Sequence, residues 1–139
     1  MSLERFVKAQ AQSYAGALSG LKAGRKTGHW MWWIFPQLRW LGTSERSIFY
    51  GLADESEAIA YLAHPELGLR YRECVALVHG HLCQGGVTPL CLMGSEVDVL
   101  KLRSSLELFL KIAPEFDLQF RQHSLAILAL LEVASPPQG

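Results

Sequence analysis

Much of what usually announces a function is missing from this chain. Among 139 residues there are only three cysteines, Cys74, Cys83 and Cys91. Their number is odd and they lack C-x-x-C spacing, which excludes a disulfide scaffold and fits free thiols in a reducing cytoplasm. There is no excess of either charge: thirteen basic residues meet thirteen acidic ones. That argues against a general nucleic-acid binder, which carries a basic surplus or stripe. Long apolar runs are missing too. The strongest, Leu125 to Leu131, is far too short to span a bilayer. The N-terminus reads as an amphipathic, charged helix rather than a secretory signal. No repeats and no long linkers interrupt the sequence. A soluble cytoplasmic domain with neither nucleic acid nor membrane as partner is expected.

Catalytic signatures are equally sparse. The sequence holds no G-x-S-x-G elbow and no H-E-x-x-H. Gly24-Arg-Lys-Thr27 brushes against a phosphate loop, but Arg25 stands where the second glycine belongs. Lys22, Arg25 and Lys26 read more plainly as cations at a helix C-terminus, facing the negative end of its dipole. His79-Gly-His81-Leu-Cys83 offers three metal-capable side chains without a fourth ligand, and a helix would split them between faces. Neither a metal nor a cofactor is expected. Cys74 falls in an apolar helix and reads as a buried, inert thiol.

What the chain does have is a core. Half of it is hydrophobic, enough for one domain of this length. The expected fold is all-α: a single domain over residues 1–134, of about six orthogonally packed helices without significant sheet. A frayed tail is expected at 135–139. The first helix runs over about 3–22, with Leu3, Phe6, Val7, Tyr14, Leu18 and Leu21 at helical spacing. Ser2 suits its start and Gly24 a left-handed end. Ser44, Asp54 and Thr88 suit helix starts, and His64-Pro65 breaks one helix and opens the next. A long helix from Ser95 or Asp98 to Ile112 buries Leu102, Ser105, Leu106, Phe109 and Ile112. Asp117 suits the cap of a last helix.

One stretch stands out, Gly24-Arg-Lys-Thr-Gly-His-Trp-Met-Trp-Trp-Ile-Phe-Pro-Gln37. Three of the four tryptophans fall within four residues. A short helical turn ended by Pro36 is expected, because a residue before proline avoids the α region. Trp30 and Trp33, three apart, then pack inward and build an indole floor. Trp32 points elsewhere, free to stack on a planar ligand. Lys26, His29 and Gln37 surround this apolar body, as polar groups do in small-molecule sites. The free histidine side chain has a pKa near neutrality, so His29 suits either proton transfer or a structural bond. A second cluster, Asp98-Val-Leu-Lys-Leu-Arg-Ser-Ser105, sets Asp98, Lys101 and Ser105 on one helix face. Asp98 and Lys101 read either as a surface ion pair of small worth or as part of a buried polar patch that needs partners.

The residues resemble a known family. Phe6-x-x-Ala9-Gln10 with Tyr14, the Gly24–Gln37 block, Leu41-Gly42-x-Ser44, Glu57-Ala58 with Tyr61-Leu-x-His-Pro65, Leu67-Gly68, Gly94, Asp98, Lys101 and Ser104-Ser105 with Leu108-Phe109 are similar to the DUF1810 family. These are small bacterial proteins of unknown function. The resemblance spans about residues 3 to 113 and implies a compact all-α domain, with no known activity. Some members carry a "calpastatin" label, yet this chain lacks the disordered, repetitive composition of such an inhibitor. Three departures stand out: Glu107 replaces a threonine, one residue is added between Gly94 and Asp98, and the segment after residue 116 lacks the family's usual ending.

Two functions from different classes follow. In the first, the Lys26–Gln37 segment and the Asp98–Ser105 helix meet around a small anionic or planar ligand. His29 moves a proton if there is chemistry, and Lys26, Trp30, Trp32, Gln37, Asp98, Lys101, Ser104 and Ser105 contact the ligand. In the second, exposed aromatic surface near Trp32 and Trp40 docks a protein partner or a second copy without catalysis.

Overall fold

The first helix, α1 (Glu4–Lys22), turns Phe6, Gln10, Ala17 and Leu21 inward. It ends where Gly24 takes a positive φ of 81°, the left-handed conformation that glycine adopts without steric cost. These positions come from a computed structural model that describes residues 3–134; Ser2 and the tail at 135–139 lie outside it.

The tryptophan-rich stretch makes the expected single turn, α2 (Met31–Ile34). Phe35 leaves the helix at φ −121°, ψ 70°, as a residue before proline must. The turn is pinned from two sides. The Trp33 carbonyl accepts from Gln10 Nε2 at 2.7 Å and from the Tyr61 hydroxyl at 3.0 Å. Gln10 is itself buried, so a polar side chain on α1 sets where the turn lies. A 3-10 turn at Arg39–Leu41 and helix α3 (Glu45–Tyr50) follow. Ser44 caps α3 by accepting from the Ser47 amide. Gly42 lets Ser47 approach: a Cβ there would stand 2.4 Å from the Ser47 Cβ.

Three of the remaining helices obey local signals. Asp54 caps α4 (Glu55–Ala63) and Thr88 with Pro89 opens α6 (Pro89–Met93). Ser95 caps α7 (Glu96–Ile112). Between α4 and α6, α5 (Leu67–His79) continues through a π turn at Gly80–Gln84. Its start corrects the expectation for Pro65. The helix begins two residues later, and the His64 ring Nδ1 accepts from the Glu66 and Leu67 amides at 3.1 and 3.2 Å. The last helix, α8 (Leu118–Ala134), follows Asp117, whose carboxylate binds Arg72 at 2.7–2.8 Å.

Eight α-helices are therefore present among the described residues, α2 and α6 being single turns. The strand-type pairing described is one parallel bridge between Leu38 and Leu52, so the all-α expectation holds. Helices α4, α5, α7 and α8 enclose an aromatic centre. Tyr71 packs on Phe109 at 4.4 Å between ring centres, and Tyr61 meets Phe6 edge-on at 5.1 Å. Arg5 and Glu57 pair at 2.8 Å and tie α1 to α4. No helix among the described residues is long and apolar enough to cross a membrane.

Candidate functional site

Two segments far apart in the chain meet, as expected. The loop after α1 brings Lys26 to the first turns of α7. Its amide donates to the Leu92 carbonyl at 2.7 Å, which fixes the backbone there. Its ammonium lies 3.0 Å from Asp98 and donates to the Gly28 carbonyl at 2.7 Å. Asp98 also holds Lys101 at 3.5 Å. One carboxylate thus bridges two lysines. Side-chain exposures of 7% for Lys26 and 16% for Asp98 and for Lys101 set this trio apart from a surface ion pair. Lys26 does not simply decorate the end of α1; it turns inward.

Trp32 completes the arrangement. The Lys101 ammonium sits 3.4 Å from the centre of its ring, an attraction of roughly 0.5–2 kcal/mol. One indole face is therefore occupied by a cation, which leaves a planar ligand only the other face or the edge.

These groups line a cleft of about 430 Å³ with His29, Met31, Ser44, Glu45 and Arg46. Three cations meet two carboxylates, a net charge of one positive when His29 is neutral. Beyond Trp32 and Lys101 a second basin of about 340 Å³ continues, walled by Gln37, Leu41, Ser44, Val97, Leu100 and Ser104.

All nine expected site residues are polar or tryptophan side chains that sequence cannot orient, and only some converge. Lys26, His29, Trp32, Asp98 and Lys101 share the cleft. Gln37 and Ser104 line the adjoining basin. His29 is exposed at the rim. Trp30 is a correction. It is 3% exposed and its indole N–H donates to the Thr27 carbonyl at 2.8 Å, so it is core and holds the loop. Ser105 is another. It is fully buried and shares a 2.8 Å bond with the Tyr71 hydroxyl, with no face to either basin. Sequence reasoning missed Met31, Ser44, Glu45 and Arg46; the one signal was Ser44 as a cap, which fixes where α3 begins.

Two other features resolve plainly. His79 stacks on His123 at 4.2 Å, and burial with the His79 charge lowers the His123 pKa. No group of three or more His, Cys, Asp or Glu suited to a metal occurs among the described residues. Cys74 is buried as expected, and burial pushes its thiol up to about 12.

Comparison with known proteins agrees with the architecture. The crystal structure of the conserved hypothetical protein Rv1873 from Mycobacterium tuberculosis matches with a TM-score of 0.83 and 40% identity, over 98% of this chain and 91% of that one. No curated protein matches. The family model described as a protein of unknown function, DUF1810, covers residues 1–126, further than the motifs alone reach and into α8. The chain belongs to the DUF1810 family.

Proposed function

We propose that the cleft binds a small anionic ligand through Lys26 and Lys101. The observation that carries this reading is the double pairing at Asp98, with Lys26 at 3.0 Å and Lys101 at 3.5 Å, on the wall of an open 430 Å³ cleft. Lysines so held lose little freedom on binding, which is what preorganisation contributes to affinity. Arg46 at the rim adds a third cation and draws anions in. The cation over Trp32 weighs for an anionic group ahead of a purely planar one. His29 stands at the entrance, where it accepts or donates a hydrogen bond to the bound group. The three unpaired cysteines fit a reducing, cytoplasmic setting.

Intrinsic fluorescence tests this, with inorganic phosphate, citrate and nucleoside monophosphates as the panel. A saturable change with at least one anion, lost in Lys101→Ala and in Trp32→Phe, is the expected result. A flat response to the whole panel sinks the reading.

A second reading rests on Trp40, Leu41, Ile48 and Phe49, which are 72%, 46%, 49% and 57% exposed on the 3-10 turn and α3. Clustered apolar exposure of this kind docks partners. Under this reading the chain self-associates or captures a protein, and Trp40→Ser with Phe49→Ser abolishes association in sedimentation.

A further inference from the structure

The two basins differ in chemistry and share a boundary. Trp32, Ser44 and Lys101 belong to both. On one side stand the cations Lys26 and Arg46. On the other, Leu41, Val97 and Leu100 present apolar side chains that are 46%, 59% and 58% exposed. Val97, Leu100, Lys101 and Ser104 follow the i, i+3, i+4, i+7 spacing of a single helix stripe. One face of α7 thus grades from charge to apolar surface along a continuous groove. A bare inorganic anion fills only the first basin and leaves three large apolar side chains in water.

We infer that the groove takes an amphiphilic anion: a phosphate or carboxylate head on Lys26 and Lys101, and an aliphatic body lying across Leu41, Val97 and Leu100. The inference rests on the anion-binding reading of the first basin and extends it to the second. Serines 44 and 104 then border the body, and the Trp32 ring divides head from body. Each methylene buried contributes up to about a fourfold gain in affinity, the equivalent of about 0.8 kcal/mol. The basin is open, so partial burial and a smaller gain per methylene are expected.

The test is calorimetric titration of the full chain with butyl phosphate, octyl phosphate and octanol, all below micellar concentrations. Octyl phosphate is expected to bind at least about tenfold more tightly than butyl phosphate, from four added methylenes, and octanol to bind far more weakly than either. Val97→Asn with Leu100→Asn, both at exposed positions, is expected to erase the chain-length gain, so that octyl phosphate binds no more tightly than butyl phosphate, while leaving the thermal midpoint unchanged. Equal affinities for the two esters would overturn the amphiphile and leave anion binding intact. A gain that persists in the double variant would place the body elsewhere and overturn it as well. No binding of either ester would end both readings.

Discussion

The two faces of one short turn have opposite fates. Trp30 and Trp32 are separated by a single residue in α2's approach. Trp30 is sealed in the core with its N–H satisfied by a backbone carbonyl. Trp32 faces the groove under a lysine ammonium. The same split recurs on α7, where Ser105 is fully buried against Tyr71 while Ser104 borders the second basin. Successive residues on a helix point about 100° apart, so neighbours in sequence serve packing on one side and binding on the other. Polar chemistry alone does not mark a site; what matters is whether the group's partner is the core or solvent.

The largest expected effect tests the tryptophans. Trp30→Ala is expected to cost about 3–5 kcal/mol in urea unfolding, whereas Trp32→Ala costs about 1 kcal/mol, mostly its contact with Lys101. Equal losses would erase the distinction between core and groove. The serines come next. Ser105→Ala leaves the buried Tyr71 hydroxyl without its bond and is expected to cost about 1–3 kcal/mol. Ser104→Ala is expected to stay within about 0.5 kcal/mol. A reversed order would mean that the two side chains have been placed on the wrong faces.

A smaller effect concerns pH. Burial opposes ionisation of Glu57, but bonds from Arg5 and the Ala53 amide outweigh it and hold the carboxyl below its usual 4.5. The stabilisation is therefore complete above 4.5 and is lost as pH falls through the lower folded value. Glu57→Gln is expected to flatten the acid side of a stability profile below pH 4.5 relative to wild type. An unchanged profile would remove Glu57 from the acid response. The smallest effect is a thiol count. Cys83 and Cys91 are exposed and Cys74 is buried, so a thiol reagent at neutral pH is expected to label two of three cysteines in the native chain and all three in denaturant. Rapid native labelling of Cys74 would mean that the core around it opens.

Local features were legible because their causes are local. Ser44, Asp54, Thr88 and Ser95 each cap the helix that follows, and Gly24 and Gly94 take the left-handed turn. The convergence of Lys26 with Asp98 and Lys101 was legible as well, since a buried-looking charge on α7 demanded a partner. Facing was not. Asp98, Lys101 and Ser105 have the spacing of one stripe, yet Ser105 lies seven residues and about 10 Å of helix beyond Asp98, under the aromatic core. The stripe that borders the groove is Val97, Leu100, Lys101 and Ser104. Arg46 and Glu45 gave no signal, because charged residues on a six-residue helix look like any solvated surface. Gln10, buried beneath Trp33, shows the converse: a polar residue whose role is to place the turn.

The central claim is that Lys26 and Lys101, held by Asp98, form an anion site. Calorimetric titration of butyl phosphate into the wild-type chain and into Lys26→Ala/Lys101→Ala tests it most directly. Saturable binding to one site per chain in the wild type, weakened at least about thirtyfold in the double variant as expected for two charge-assisted bonds of at least about 1 kcal/mol each, is the predicted result. Equal affinity in the two proteins would contradict it.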